Sequence, residues 1–344
     1  MMIHMHSLGK LSLGILFVIL CMSACKEDTQ QKTTRSSGDS ALDKLNALVS
    51  GSPDDATVLY DRASYQYEQG DYDGTIRDLE AALAIDSLVP DYYHLLSDAY
   101  MDYFRSKDAL NVMMDAEKQF PERIPTLLKL SETQLILKQN EESLLTVAKI
   151  LTYDPSNAEG HFMKGMNFRA MGETDRAIGA FQTVTELDPD LIDAWLIIGD
   201  LFMEKGQPIA RQFYETATNI RPDDPNVWHA LAYFLQNNDD DSAALDIYRK
   251  INVIDKNYLD AYLNAGIIHL SNGDLDEAME QFDILAKVKP QSPHPYYYRA
   301  LIYEKKGQRE AALVEIQNCL NLDAEYPEAR KTCLLYTSPS PRDS

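Results

Sequence analysis

Cysteine is nearly absent from this sequence: Cys21, Cys25, Cys319 and Cys333 are the four in 344 residues. Only the first two lie close together, which excludes a zinc-ligand spacing, a redox pair and a disulfide framework. The later histidines (His94, His161, His229, His269 and His294) are equally scattered, so no metal site and no cofactor is expected. Positive charge is the second shortage. Against 54 acidic residues stand 32 basic ones, a formal charge of −22. Phosphate contacts need clustered Lys and Arg, so nucleic acid is excluded as a partner. The surplus acid keeps surfaces apart by self-repulsion and is compatible with a positively charged partner. Long apolar runs are missing as well. The one continuous stretch, Leu11–Leu20, covers about half of the roughly twenty residues that a membrane-crossing helix needs. Finally, the sequence has no G-x-S-x-G, no H-E-x-x-H and no G-x-x-x-x-G-K-S/T. Its many acidic pairs read as solvated helix faces, and the chain reads as a binder, not an enzyme.

What is present begins with an export signal. Lys10 supplies the positive charge, Leu11–Leu20 the apolar stretch, and Met22-Ser23-Ala24-Cys25 follows. Small residues directly before a cysteine resemble the lipobox of bacterial lipoproteins, with Met22 where leucine is commonest. The resemblance implies removal of residues 1–24, acylation of Cys25 and a lipid anchor in the cell envelope. Lys26-Glu27-Asp28 resembles the surface-export signal of Bacteroidota lipoproteins. The lack of Asp directly after Cys25 resembles lipoproteins of the outer membrane, facing the periplasm or the surface. Residues 25–39 read as the lipidated cysteine and a flexible tether without apolar anchors. At the other end, the string from Cys333 to Asp343 is encoded, codon by codon, by one frame of a common transposase-based sequencing adapter. Residues 333–344 are therefore set aside from the fold, and the natural chain is expected to run on past Thr332.

Self-similarity governs the rest. Pro121, Pro155 and Pro189 lie 34 residues apart, Pro222 follows after 33, and Pro290 lies two further periods on. Asp154-Pro155 and Asp188-Pro189 are turn signals that stop a helix. Aligned on this period, residues 56–326 divide into eight units: 56–89, 90–123, 124–157, 158–191, 192–224, 225–258, 259–292 and 293–326. Residues 327–332 begin a ninth. The clearest first half is Trp195-x2-Ile198-Gly199-x2-Phe202. Second halves are Ala177-x3-Phe181, Ala210-x3-Tyr214, Ala244-x3-Tyr248 and Ala278-x3-Phe282. This pattern resembles the tetratricopeptide repeat. The resemblance implies an all-α fold: a right-handed superhelical solenoid of stacked helix-turn-helix hairpins, each with a helix A and a helix B.

Each residue type then has a physical task. The small eighth residue of a unit (Ala63, Gly165, Gly199, Ala232, Gly266, Ala300) lets helices A and B approach, and an alanine of helix B does the same from the other side. Large residues four positions after that alanine are expected to fill the space between neighbouring units. Gly70, Gly172, Gly206, Gly273 and Gly307 end helix A in a left-handed conformation. Unit 124–157, with Ser131, Lys138 and Ser143 at these positions, is the poorest match and a candidate for altered curvature. Phe104 replaces the turn glycine in unit 90–123. Residues 40–55, with Ala41-x3-Leu45-x2-Leu48-Val49, match a lone helix B that caps the array. Leu313, Ile316 and Leu320 are expected to face absent helices, so the far end should fray or associate. Cys319, at a helix-B packing position, reads as a buried thiol.

In proteins this chain resembles, the second, fifth, sixth, ninth, twelfth and thirteenth residues of each unit project into a concave groove. Here these positions give Tyr60, Tyr67, Asp98, Met101, Phe162, Met166, Leu196, Asp200, Met203, Tyr233, Leu263, Ile267, Tyr297 and Tyr298 as candidate partner contacts. Met163, Asp193 and Asp260 belong to the same register. Aromatics and methionines supply adaptable area, and the acids orient a basic ligand. The family's clamp for a C-terminal carboxylate, Lys and Asn at the fifth and ninth positions, is missing: Tyr60 and Ser64, His94 and Asp98, Phe162 and Met166, Leu196 and Asp200 stand there instead. A co-chaperone role is accordingly not expected. The favoured reading is an envelope scaffold that binds proteins or peptides in the groove, in outer-membrane or surface assemblies. The alternative is the repeat module of a larger enzyme or sensor whose further domain follows Thr332. A glycan-binding surface, suggested by the 20 tyrosines, ranks behind both.

Overall fold

The computed structural model describes residues 39–337, with side chains to Thr332, and every helix or strand among the described residues is a helix. The expected leader, Cys25 and nearly all of the tether lie outside the described residues. So do the side chains of the segment matching the adapter. One helix, α1 (Ser40–Gly51), precedes eight hairpins. These pair α2 (Ala56–Glu68) with α3 (Tyr72–Ile85), α4 (Pro90–Asp102) with α5 (Ser106–Gln119), and α6 (Ile124–Ile136) with α7 (Asn140–Tyr153). Next come α8 (Ala158–Ala170) with α9 (Thr174–Leu187), α10 (Ile192–Glu204) with α11 (Ala210–Ile220), and α12 (Pro225–Asn237) with α13 (Asp241–Ile254). The last two are α14 (Leu259–Asn272) with α15 (Leu275–Val288) and α16 (His294–Lys305) with α17 (Arg309–Leu322), followed by α18 (Pro327–Thr337). Each helix packs chiefly on its chain neighbours, and the apolar core is a string of local clusters rather than one centre. This is a solenoid of helical hairpins.

The close approach within each hairpin rests on one small residue. Ala63, Ser97, Ser131, Gly165, Gly199, Ala232, Gly266 and Ala300 occupy the eighth position and all are buried. The large B-helix residue meets this position inside its own hairpin, in addition to the expected gap between units. A Cβ added at Gly165 or Gly199 would lie 2.8 Å from the ring of Phe181 or Tyr214, and one at Gly266 would lie 2.7 Å from Phe282. Tyr214 also reaches the next hairpin, with its ring 5.5 Å from that of Phe234. Small and large residues vary together. Where the eighth residue is Ala63, Ser97, Ser131 or Ala300, the register of the ring is filled by Leu79, Met113, Val147 or Ile316, all buried. Only Ala232 combines a methyl with a ring, that of Tyr248.

Every hairpin turn uses the same left-handed residue, glycine or not. Gly70, Gly172, Gly206, Gly273 and Gly307 have φ between 65° and 87°, and Phe104, Lys138 and Asp239 take φ of 59–60° at the equivalent places. The following amide then reaches back to close helix A, as in Asp71 N to Gln66 O at 2.9 Å and Arg105 N to Tyr100 O at 2.7 Å. The turn bond is kept at the expense of strain where a side chain replaces glycine, and Phe104 is 94% exposed.

The two terminal hairpins differ from the inner ones. Arg62 and Arg299 replace the apolar residues found at that position in most other units. Arg62 holds Asp78 through two bonds of 2.6 and 2.7 Å, and Arg299 donates to Glu315 at 2.5 Å. Arg62 also donates to Asn46 Oδ1 at 3.0 Å, tying α1 to the array. At the far end, Ile316 and Leu320 do not lie open as expected. Ile316 and Cys319 are buried in a cluster with Ala329 of α18, and Leu320 and Tyr326 pack against it. The start of another unit covers them. Burial pushes the Cys319 thiol up to about 11, so it stays protonated and packs as an apolar group.

Two stability outcomes follow. Gly165→Ala should cost about 1–3 kcal/mol in urea unfolding, because the ring has no room to retreat. Adding Phe181→Leu should give a double variant that loses less than the two single losses combined. Phe104→Gly should instead raise stability by about 1 kcal/mol, since the exposed ring makes no buried contact to lose.

Candidate functional site

Successive A helices touch one another: α2 with α4, α4 with α6, α6 with α8, and α10 with α12. No B helix packs on the next B helix to a comparable extent. The A helices therefore line the inner, concave side. Of the expected groove residues, Tyr233 is exposed and the other thirteen are half-buried, with none fully inside. Their inner portions serve repeat packing. Tyr60, Tyr67 and Met101 lean on the first core cluster, Phe162 and Met166 on the central one, and Leu263, Ile267 and Tyr298 on one near the far end. Leu196 and Met203 pack on the cluster that contains Tyr214, while Tyr297 joins the terminal cluster.

The two acids chosen from the sequence are already engaged. Asp98 pairs with Lys129 at 2.5 Å, and Asp200 accepts the buried Tyr214 hydroxyl at 2.8 Å. Asp102 likewise accepts the Tyr67 hydroxyl at 2.6 Å, and burial with this carboxylate keeps that tyrosine protonated well above the usual range. Groove acids are thus engaged both between neighbouring units, at Asp98 and Asp102, and within one, at Asp200.

One place is open. A cavity of about 420 Å³ spans α6, α8 and the start of α10, lined by Pro125, Leu128, Lys129, Glu132, Glu159, Phe162, Met163, Leu191 and Asp193. Among the fourteen groove residues expected from sequence, only Phe162 lines it; the rest are strung along the face. Pro125, Leu128, Lys129 and Glu132 occupy the same groove positions in unit 124–157, the unit that departs most from the repeat, and Glu159 occupies the second position of unit 158–191. Leu191 precedes α10 and has no such register.

The hairpin beneath the cavity is held by polar groups. Asn167 Nδ2 donates to Ser143 Oγ at 2.8 Å, and Ser143 Oγ donates to the Ser131 carbonyl at 2.8 Å. Thr146 Oγ1 donates to Gln134 Oε1 at 2.8 Å. These side chains take less room than a ring, and α6 and α8 pack more extensively than any other successive A helices.

No cluster of His, Cys, Asp and Glu among the described residues is arranged to hold a metal ion. No helix among them is long and apolar enough to cross a membrane. The arrangement is chemically a recognition surface: area, a hollow and fixed charges.

A hairpin solenoid with a concave recognition face is the class these features define. The tetratricopeptide repeat model matches residues 36–90, 162–225 and 263–318, just over half of the chain. The chain belongs to the tetratricopeptide repeat family. It is similar to the photosystem I assembly protein Ycf3 of Prochlorococcus marinus, 32% identical over 85 residues, covering 24% of this chain and 49% of that protein. It is also similar to the general transcriptional corepressor ssn6 of Schizosaccharomyces pombe, 22% identical over 176 residues, covering 51% of this chain and 13% of that protein. The chain thus spans half or less of the length of these curated relatives. A solved tetratricopeptide repeat protein from Parabacteroides merdae superposes with a TM-score of 0.50 at 14% identity, covering 72% of this chain and 99% of that one. That likeness concerns the fold alone.

Two histidines on this face link it to pH. Burial lowers the pKa of His94, whose Nε2 lies 3.0 Å from Thr126 Oγ1; nearby Arg123 and Lys129 lower it further, against Asp91 and Asp98. Burial also lowers that of His229, which lies 3.0 Å from Asn264 Nδ2, against Asp260. Folding favours their neutral forms, so the unfolded chain binds more protons below the ordinary value of 6.5. Stability should therefore fall as pH drops from about 7 to about 5. Thermal unfolding of the His94→Gln/His229→Gln variant should show a shallower fall than the parent over that window.

Proposed function

We propose that this chain is a scaffold of a bacterial envelope, held by an acylated Cys25, that grips protein partners in its concave groove. The observation that carries the groove reading is the open cavity across α6, α8 and α10, on a face whose other side chains are half-committed to packing. Repeat solenoids use such concave faces for extended contacts. Membership of the family supports the same role, and the name of the Prochlorococcus relative describes an assembly protein. The envelope part rests on Met22-Ser23-Ala24-Cys25 and the apolar stretch before it. The outer membrane, in a periplasmic or surface complex, is the location that the residues after Cys25 favour. The scaffold supplies position and contact, with no chemistry of its own.

The test uses the full chain in its native cells. A photo-crosslinking amino acid at Met163 should yield one or two discrete protein adducts. The same probe at Val253, 83% exposed on the B helix α13, should yield none. Equal adducts at both sites, or none at either, would sink the groove reading. Separately, Cys25→Ser should abolish palmitate incorporation and move the protein out of the membrane fraction. Unchanged fractionation would mean that the anchor is wrong.

A further inference from the structure

We infer that the cavity between α6, α8 and α10 receives an apolar side chain of an extended segment whose flanking residues are Lys or Arg. The inference rests on the groove reading and names the chemistry of its partner. The lining of the hollow is largely apolar, with Pro125, Leu128, Phe162, Met163 and Leu191 contributing to it. Its volume, about 420 Å³, falls at the smaller end of sites that take organic ligands, roughly 300–1,000 Å³. It is open along the groove rather than enclosed, so it suits one anchor of a chain passing through better than a molecule that must be wrapped on all sides. Phe162 is backed edge-on by Phe181 at 5.3 Å, which holds the ring, while unbranched Met163 can adapt to the guest.

Charge decides what surrounds the anchor. Glu132, Glu159 and Asp193 stand around the hollow, and none of the three makes a hydrogen bond or ion pair among the described residues. Lys129, the one cation of the lining, is turned to Asp98 at 2.5 Å. An arriving ligand thus meets three uncompensated carboxylates beside an apolar surface. Glu159 and Asp193 each lie in the first turn of a helix, where the dipole explains an acid without any ligand. Glu132 lies inside α6, outside the first turn where that dipole acts. All three are exposed, so their pairs with a ligand would form at a wet rim. Such pairs contribute selectivity and association rate more than affinity, and salt weakens them. The chain's formal charge of −22 adds long-range attraction for a cation and repulsion for an anion.

The experiment uses the chain from residue 26 through its repeats and three fluorescein-labelled synthetic peptides. One carries Leu-Phe between Lys-Arg pairs, one has those pairs replaced by Glu-Glu, and one keeps the Lys-Arg pairs with Ser-Ser in the middle. Fluorescence anisotropy should show the first binding at least about tenfold more tightly than either other peptide in low salt. Its advantage over the Glu peptide should shrink severalfold at high salt. The variant Glu132→Gln/Glu159→Gln/Asp193→Asn should lose most of the charge preference while its helical circular dichroism is unchanged. Met163→Ser should weaken the Leu-Phe peptide and leave the Ser-Ser peptide alone. Equal binding of the first two peptides, or a preference that survives the triple variant, overturns the inference. If crosslinked partners still form at Met163 while every peptide fails, the inference falls and the groove reading stands. If both fail, both fall.

Discussion

Two helices can lie flush only where one of them gives up side-chain volume, and this array repeats that concession in every hairpin. At Gly165, Gly199 and Gly266 the space of a Cβ is taken by the ring of Phe181, Tyr214 and Phe282. Where a methyl or hydroxymethyl is kept, as at Ala63 and Ser131, an aliphatic side chain takes the ring's register. In most hairpins the two volumes compensate, Ala232 with Tyr248 being the exception, because interiors tolerate neither voids nor overlap. From that local fit follow the helix spacing, the stacking of one hairpin on the next, and a core made of neighbour interfaces rather than one centre.

The same geometry makes the concave face. Since successive A helices approach one another and the B helices do not, residues that project inward are squeezed from both sides. Nearly all of the expected contact residues are half-buried for that reason. A tyrosine such as Tyr67 is at once a packing element, a donor to Asp102 of the next unit and a wall of the groove. The candidate groove residues are therefore packing residues as well, with their inner portions in the repeat core and the rest facing the groove.

The irregular unit marks where these roles part. Around α6 and α7 the hairpin interior holds Ser131, Ser143, Thr146 and Gln134, bonded to one another or to backbone and to Asn167 of the next unit. Hydrogen-bonded groups need no ring to fill the space, and buried polar groups of this kind must stay paired. Above them lies the hollow of about 420 Å³, with its acids unpaired. The departure from the repeat pattern and the opening of the groove coincide in the same hairpin.

The sequence by itself determined the helices, their order and the hairpin period, because spacing of small and large residues along a helix is a local, periodic property. Proline and glycine marked the turns for the same reason, and even Phe104 and Lys138 could be placed by register before their strained φ was known. The repeat register also singled out candidate groove positions. It could not say which inward acids are free, because Asp98 is cancelled by Lys129 from another unit and Asp200 by the tyrosine of its own B helix. Nor could it show that α18 would cover Ile316, or that a poorly matching unit would leave the cavity. Those depend on distances between residues far apart in the chain, which only the stacking of one hairpin on the next sets.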